Sequence, residues 1–236
     1  MVVTEIGTKA GPGRALGQIR TRDRVRDLAE VYTHEREVNA MLDMVPDMFP
    51  SAEHPDNHDR IFLEPACGHG NFLVEILRRK LSTVTAARYK RPEDYEHRLL
   101  RCVASTYGID IDEENVAESQ DRIRDAILAH LEAADRMPSN GFVSAAEVIL
   151  ATNVIRADTL TNLTTITVVH YQPARGGSFL REWSPLESPD PQLSKPSQLD
   201  LFGGPAGQLD LFVQPRSDAR PVHYSHLAQH PDPVSR

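Results

Sequence analysis

Between Ile61 and Leu77 the chain reads Ile-Phe-Leu-Glu-Pro-Ala-Cys-Gly-His-Gly-Asn-Phe-Leu-Val-Glu-Ile-Leu, and no other stretch restricts the fold so tightly. The apolar run Ile61 to Leu63 predicts a short buried strand, which Glu64-Pro65 ends. Gly68 and Gly70 then supply a turn without Cβ atoms, and Asn71 is placed to cap a helix. Phe72, Leu73, Ile76 and Leu77 recur at helical spacing, so strand, glycine turn and helix succeed one another directly. That order sets a helix N-terminus beside a crevice at the carboxyl end of a strand. A dinucleotide fingerprint would want glycine or alanine at position 73, where the chain has Leu73.

Three further segments extend the pattern. Val103 to Asp112 reads as a second strand ending in acids, followed by a helix from about Glu113 to Ala134, with Asp112 suited to the N-cap. Ala146 to Leu150 reads as the end of the helical region, and Asn153-Val-Ile-Arg-Ala-Asp158 comes next. Upstream, Asp27 to Leu42 leads through Thr33 into a helix whose apolar face is Val38, Met41, Leu42 and Val45.

Taken in order, these segments resemble motifs X, I, II and III of S-adenosylmethionine-dependent methyltransferases, above all the adenine-N6 DNA methyltransferases of restriction–modification systems. The resemblance covers roughly residues 25 to 160. It implies a three-layer, mostly parallel, Rossmann-like α/β domain. It also implies a cofactor, S-adenosylmethionine, held by Thr33, Glu64, Ala66, Gly68, Gly70, Asp110, Ile111 and Asp158. Here Thr33 would meet the methionine carboxylate, the glycine turn and Glu64 the methionine portion, Asp110 the ribose hydroxyls and Asp158 the adenine edge. Asp158 also reads as an ordinary turn acid. Ala29 and His34 depart from the family's motif X, which carries glycine and proline there.

The resemblance breaks at the catalytic segment. The family places Asn/Asp/Ser-Pro-Pro-aromatic after its fourth strand, where it aims the target amino group and stacks on the flipped base. The fourth strand is expected over Leu163 to Tyr171, and no such tetrapeptide occurs in the chain. The nearest substitutes are His170, Tyr171, Gln172 and Pro173, with Tyr171 the candidate for stacking. Two functions therefore stay open: a DNA adenine methyltransferase, or a methyltransferase fold that has lost turnover and acts by binding.

From Trp183 onward nine prolines remove apolar periodicity, which predicts a disordered tail over 183–236 after a folded domain at 25–182 and a flexible segment at 1–24. The tail holds one pentapeptide twice, Gln198-Leu199-Asp200-Leu201-Phe202 and Gln208-Leu209-Asp210-Leu211-Phe212. It resembles the bacterial sliding-clamp-binding motif. That likeness implies docking through the glutamines, Leu199, Leu209 and the Leu-Phe plugs, within a bacterial or phage-infected cytoplasm. The bland reading is a repeat that covers the domain's own surface. The copies start ten residues apart and span at most about 35 Å, too little to bridge two pockets of one ring.

Net charge −8 is unfavourable for unaided DNA binding. The one basic concentration runs from Arg78-Arg79-Lys80 through Arg88, Lys90, Arg91, Arg98 and Arg101. It reads either as a phosphate-facing insertion or as a solvated helix face. Cys67 and Cys102 are the two cysteines, with no zinc spacing, and Cys67 reads as packing. The sequence shows no signal peptide or membrane-spanning run.

Overall fold

Alternating strands and helices dominate the first two thirds of the described chain. The structure is a computed structural model and describes residues 33–161, 166–186 and 216–235. Helix α1 (Glu35–Leu42) starts at His34, whose amide donates to the Glu37 carboxylate at 2.8 Å. It buries Val38 and Leu42 against Phe49 and Ile76, whereas Met41 and Val45, expected on the same face, are exposed. Strand β1 (Phe62–Glu64) is an edge strand that includes Glu64 and leaves Ile61 and Leu63 exposed rather than buried, and the glycine turn leads into α2 (Asn71–Leu81) with Gly70, not Asn71, at the cap. Helix α3 (Pro92–Ala104) comes next, with proline in its first turn and Glu93 and Asp94 complementing the helix dipole. Strand β2 (Thr106–Asp110) is shorter than expected because Val103 closes α3 instead.

Asp112 caps α4 (Glu113–Ala133) by accepting from the Glu114 amide at 2.8 Å, as its position predicts. Ser139 caps α5 (Asn140–Asn153), which runs directly into β3 (Val154–Arg156). The three strands form a parallel sheet in the order β1-β2-β3. Alternate residues of β2 serve opposite faces. Gly108 lies under Leu73 of α2, while Tyr107 and Ile109 pack with Ile166 and Val168.

The fourth strand departs from expectation. Strand β4 (Thr167–Ala174) joins no parallel ladder. It pairs antiparallel with β5 (Ser178–Pro185) through the tight turn at Gly176-Gly177, while Ile166 and Val168 cover the second face of the parallel sheet. The domain is therefore α/β with a parallel sheet and a separate antiparallel one, not one extended parallel sheet. The same alternating, β-branched run suits either partner, so composition alone could not choose.

The disordered tail expected over 183–236 also needs correction. Trp183 to Pro185 belong to β5, and residues 216–235 fold onto the domain. Strands β6 (Arg216–Ser217) and β7 (Val222–His223) both pair with β5, and a 3-10 helix over Tyr224–Gln229 buries Tyr224 and Leu227 in the main core. The Arg181 guanidinium, wholly buried, meets Asp218 at 2.8 Å and donates to the His230 and Asp232 carbonyls. That pair has no local sequence signal, because its members stand 37 residues apart. Residues 187–215, with both pentapeptide copies, lie outside the described residues, as do 1–32 and the start of the expected fourth strand.

Candidate functional site

The residues read as a ligand crevice come from the carboxyl ends of three parallel strands. After β1 the chain turns through Pro65 to Gly70. The Cys67 amide returns to the Ile109 carbonyl at 2.9 Å, tying the turn to the end of β2. Asp110 accepts from the Gly68 amide at 2.8 Å through one carboxylate oxygen. Its other oxygen accepts from the Asp112 amide at 2.9 Å and from the Asn115 side chain at 3.3 Å. The turn's shape thus depends on an acid 42 residues away.

Two glycines carry the turn for different reasons. Gly70 has φ +84°, and a Cβ there would lie 2.8 Å from the Ser119 hydroxyl of α4. Gly68 has φ +52°, but a Cβ there would meet nothing within 4 Å. Space beside Gly68 is therefore open, and what excludes other residues is backbone strain rather than crowding. Ser119 also donates to the Gly68 carbonyl at 2.9 Å, and Arg122 donates to the His69 carbonyl and to Asn71. Sequence reasoning missed both α4 residues, since only the register of α4 against α2 brings them to the turn. It also missed Gly108. A Cβ there would fall 2.4 Å from Leu73, so the small residue that lets helix and strand approach sits on β2 rather than at position 73.

Glu64 is half-buried at the mouth of the turn, and burial holds its carboxyl above the usual range. Its side chain also accepts from the Ala66 amide at 3.3 Å. Ile111 is 51% exposed just beyond Asp110. Asp158 folds onto its own turn, accepting from the Leu160 and Thr161 amides and from the Thr161 hydroxyl at 2.6 Å, which lowers its pKa. The turn-acid reading therefore describes its present contacts. Thr159 donates to the Pro65 carbonyl at 3.2 Å and joins the third strand's loop to the first. Thr33 is half-buried and immediately precedes the His34 cap of α1 in sequence.

These contacts limit the ligand chemistry. The amides of Ala66, Cys67, Gly68 and Gly70 all have acceptors within the protein. A phosphate cradle needs several such amides free, so this turn is ill suited to one. Around it stand Glu64, Asp110 and Asp158. The cation nearest in sequence to that rim, Arg156, donates to the Ile111 carbonyl and lies 3.4 Å from Glu113. Arg122 also reaches the turn but is engaged by the His69 carbonyl and Asn71, so carboxylates and open space adjoin Gly68.

The four catalytic substitutes lie on β4 and do not assemble into a base-holding pocket. Tyr171 is buried, its hydroxyl 2.9 Å from Thr152 and its ring edge-on to Phe179, so it is a core side chain and cannot stack on a base. His170 lies 3.3 Å from the Tyr107 hydroxyl, while Gln172 and Pro173 are exposed near the hairpin turn. Cys67 is buried, and burial beside Asp110 pushes its thiol up to about 12, which leaves it a packing residue. Among the described residues no group of histidine, cysteine and acid side chains could hold a metal ion, and no helix is long and apolar enough to cross a membrane.

The basic concentration divides. Lys80 is wholly buried and donates to the Ser105 carbonyl and hydroxyl at 2.8 Å and to Thr106 at 3.1 Å, its pKa lowered to about 7 by burial. Arg79 bridges Glu75 and Asp43, and Arg101 binds Asp59. These three serve the fold, and the phosphate-facing reading does not hold for them. Comparison with protein families, curated sequences and solved structures finds no match to this chain.

Proposed function

We propose that this chain is an S-adenosylmethionine-binding, DNA adenine methyltransferase-like protein brought to DNA through a sliding clamp. The observation that carries the cofactor reading is the glycine turn whose amides are satisfied internally and whose rim is three carboxylates. That chemistry suits a sulfonium cation bearing ribose hydroxyls better than a phosphorylated ligand. Asp110 would offer its remaining lone pair to a ribose hydroxyl, Glu64 would face the methionine portion, and Ile111 would cover the adenine. When bound, the cofactor supplies an electrophilic methyl group. The residues here bind and orient it, and the open side of Gly68 leaves room for it.

A second reading keeps the binding and drops the turnover. It is favoured by Tyr171, the stacking candidate among the catalytic substitutes, being locked in the core. Methyl transfer requires the amine lone pair to point at the methyl carbon, and misplacement costs on the order of a hundredfold in rate. Weak or absent methylation of unmodified DNA is expected, measured by transfer of labelled methyl groups.

Clamp docking rests on the sequence repeat. The described residues on either side of the segment that carries it pair with each other, Trp183 against Arg216. Pull-down of a bacterial sliding clamp tests this. Replacing Leu201 and Phe202 by alanine is expected to cost only about twofold, because the second copy remains. Replacing Leu201, Phe202, Leu211 and Phe212 together is expected to abolish retention, and a quadruple variant still held by the clamp would reject the repeat as the docking element.

A further inference from the structure

We propose that a second groove, lined by Arg88, Tyr89, Lys90, Arg91 and Arg98, binds the phosphodiester backbone of nucleic acid. It lies between the turn after α2 and the first half of α3, encloses about 470 Å³, and also borders Asp94 and His97. It sits at the amino ends of the parallel strands. Arg98 donates to His58, whose carbonyl accepts from Ser105, the residue just before β2. The glycine turn lies beyond the carboxyl ends of the same strands, so the groove stands apart from the cofactor reading and does not depend on it.

The side chains fit a polyanion. Tyr89 is half-buried against the main core and has the Arg98 guanidinium 4.9 Å and the Arg88 guanidinium 5.4 Å from its ring centroid. The ring thus holds two guanidiniums side by side at the groove wall, where phosphates can be neutralised. Lys90 and Arg91 are exposed beside it. The opposing acids are loosely engaged. Asp56, 75% exposed, lies 3.7 Å from Arg88 and 3.8 Å from Arg98, while Arg91 faces Glu93 at 3.2 Å and Asp94 at 3.8 Å. The exposed pairs of Arg88 and Arg91 contribute little and yield to a phosphate that offers more oxygen acceptors, while Arg98 is largely buried and fixed by its contacts. His97 is held neutral, its pKa lowered to about 4 by burial, so the groove's positive charge comes from its arginines and lysine. In a chain of net charge −8, Lys90 and Arg91 stand exposed with no role in the core, whereas Arg98, which donates to buried His58, serves the fold as Lys80, Arg79 and Arg101 do.

Fluorescence anisotropy of a labelled 20-nucleotide single strand and its duplex, with the full chain in about 50 mM salt, tests the site. Wild type is expected to bind both. The combined Arg88→Glu, Lys90→Glu, Arg91→Glu variant alters only exposed side chains, and circular dichroism checks its fold. It is expected to lose at least about tenfold in affinity and to flatten the slope of log K against log salt by about two. Tyr89→Ala, which releases the two guanidiniums it holds, is expected to weaken single strand and duplex alike. Arg78→Glu, with an equally exposed cation on the outer face of α2, is expected to bind as wild type. Absence of wild-type binding, or a triple variant that binds as wild type, would overturn the proposal. So would a poly-glutamate peptide that competes as well as nucleic acid of equal charge.

Discussion

The parallel half of the domain and its antiparallel half are built by opposite means. In the first, each strand, turn and helix is encoded by neighbouring residues, and long-range contacts such as Asp110 to Gly68 refine a shape already set locally. In the second, hairpin β4–β5 and residues 216–235 depend on partners far away in sequence. Arg181 needs Asp218, and Tyr224 reaches Glu96, 128 positions earlier, at 2.6 Å. Glu96 also accepts from the Ser139 amide and hydroxyl, so it ties α3, the start of α5 and the C-terminal segment together. The glycine turn thus carries a local sequence signal although Asp110 and Ser119 fix its shape, while the domain's closure carries none.

The sharpest way to break this contrast is to remove one partner of the buried ion pair. Asp218→Ala strands the wholly buried Arg181, and a loss of about 3–5 kcal/mol is expected in denaturant unfolding. A loss under about 1 kcal/mol would show that residues 216–235 add nothing to the core. Next come the glycines. Gly68→Ala is expected to cost about 1–2 kcal/mol from its positive φ alone. Gly70→Ala should cost about 1 kcal/mol more, because its Cβ also displaces Ser119. Equal losses at the two positions would mean that α4 does not press on the turn.

A pH dependence arises where α3 meets the antiparallel half. His97 packs under Phe179 and Tyr224, near Arg98, Arg101 and His223, and hydrogen-bonds the Ser178 carbonyl. Burial lowers its pKa to about 4, while the unfolded imidazole titrates near 6.5. Between those values the unfolded chain binds more protons than the folded one, so stability rises with pH across the window and is lost as pH falls from 6.5 towards 4. A shift from 6.5 to about 4 corresponds to a loss of about 3 kcal/mol across that window. His97→Gln should flatten that part of the unfolding curve, and an unchanged slope would assign the acid sensitivity elsewhere.

Legibility in the sequence divides along the same line. The strand at 62–64, the glycine turn, the Asp112 cap and the helix to Ala133 were readable because periodicity and capping chemistry are contiguous. Strand β4 was visible as a strand, but its partner was not, since alternating β-branched residues carry no information on which edge they join. The proline count concealed the C-terminal closure. Val222, Tyr224 and Leu227 are too few and too irregularly spaced to read as an element, and they fold by filling a core that α3 and α5 leave open. Within the site, Gly68, Gly70, Glu64 and Asp110 come together at one turn, while Ser119 and Arg122 could be found only from the register of α4 against α2.

Whether the glycine turn and Asp110 form a cofactor site is tested most directly by isothermal titration of the purified chain with S-adenosylmethionine. Saturable binding to one site is expected. Asp110→Asn removes the charge and also one of the two acceptors that hold the Gly68 and Asp112 amides, so circular dichroism checks its fold, and it should weaken binding by about 1.5–3 kcal/mol. Adenosine triphosphate, with its phosphates facing a carboxylate rim, should not compete. Absence of binding by the folded wild type, or affinity indifferent to Asp110→Asn and displaced by adenosine triphosphate, would contradict a cofactor site at this turn.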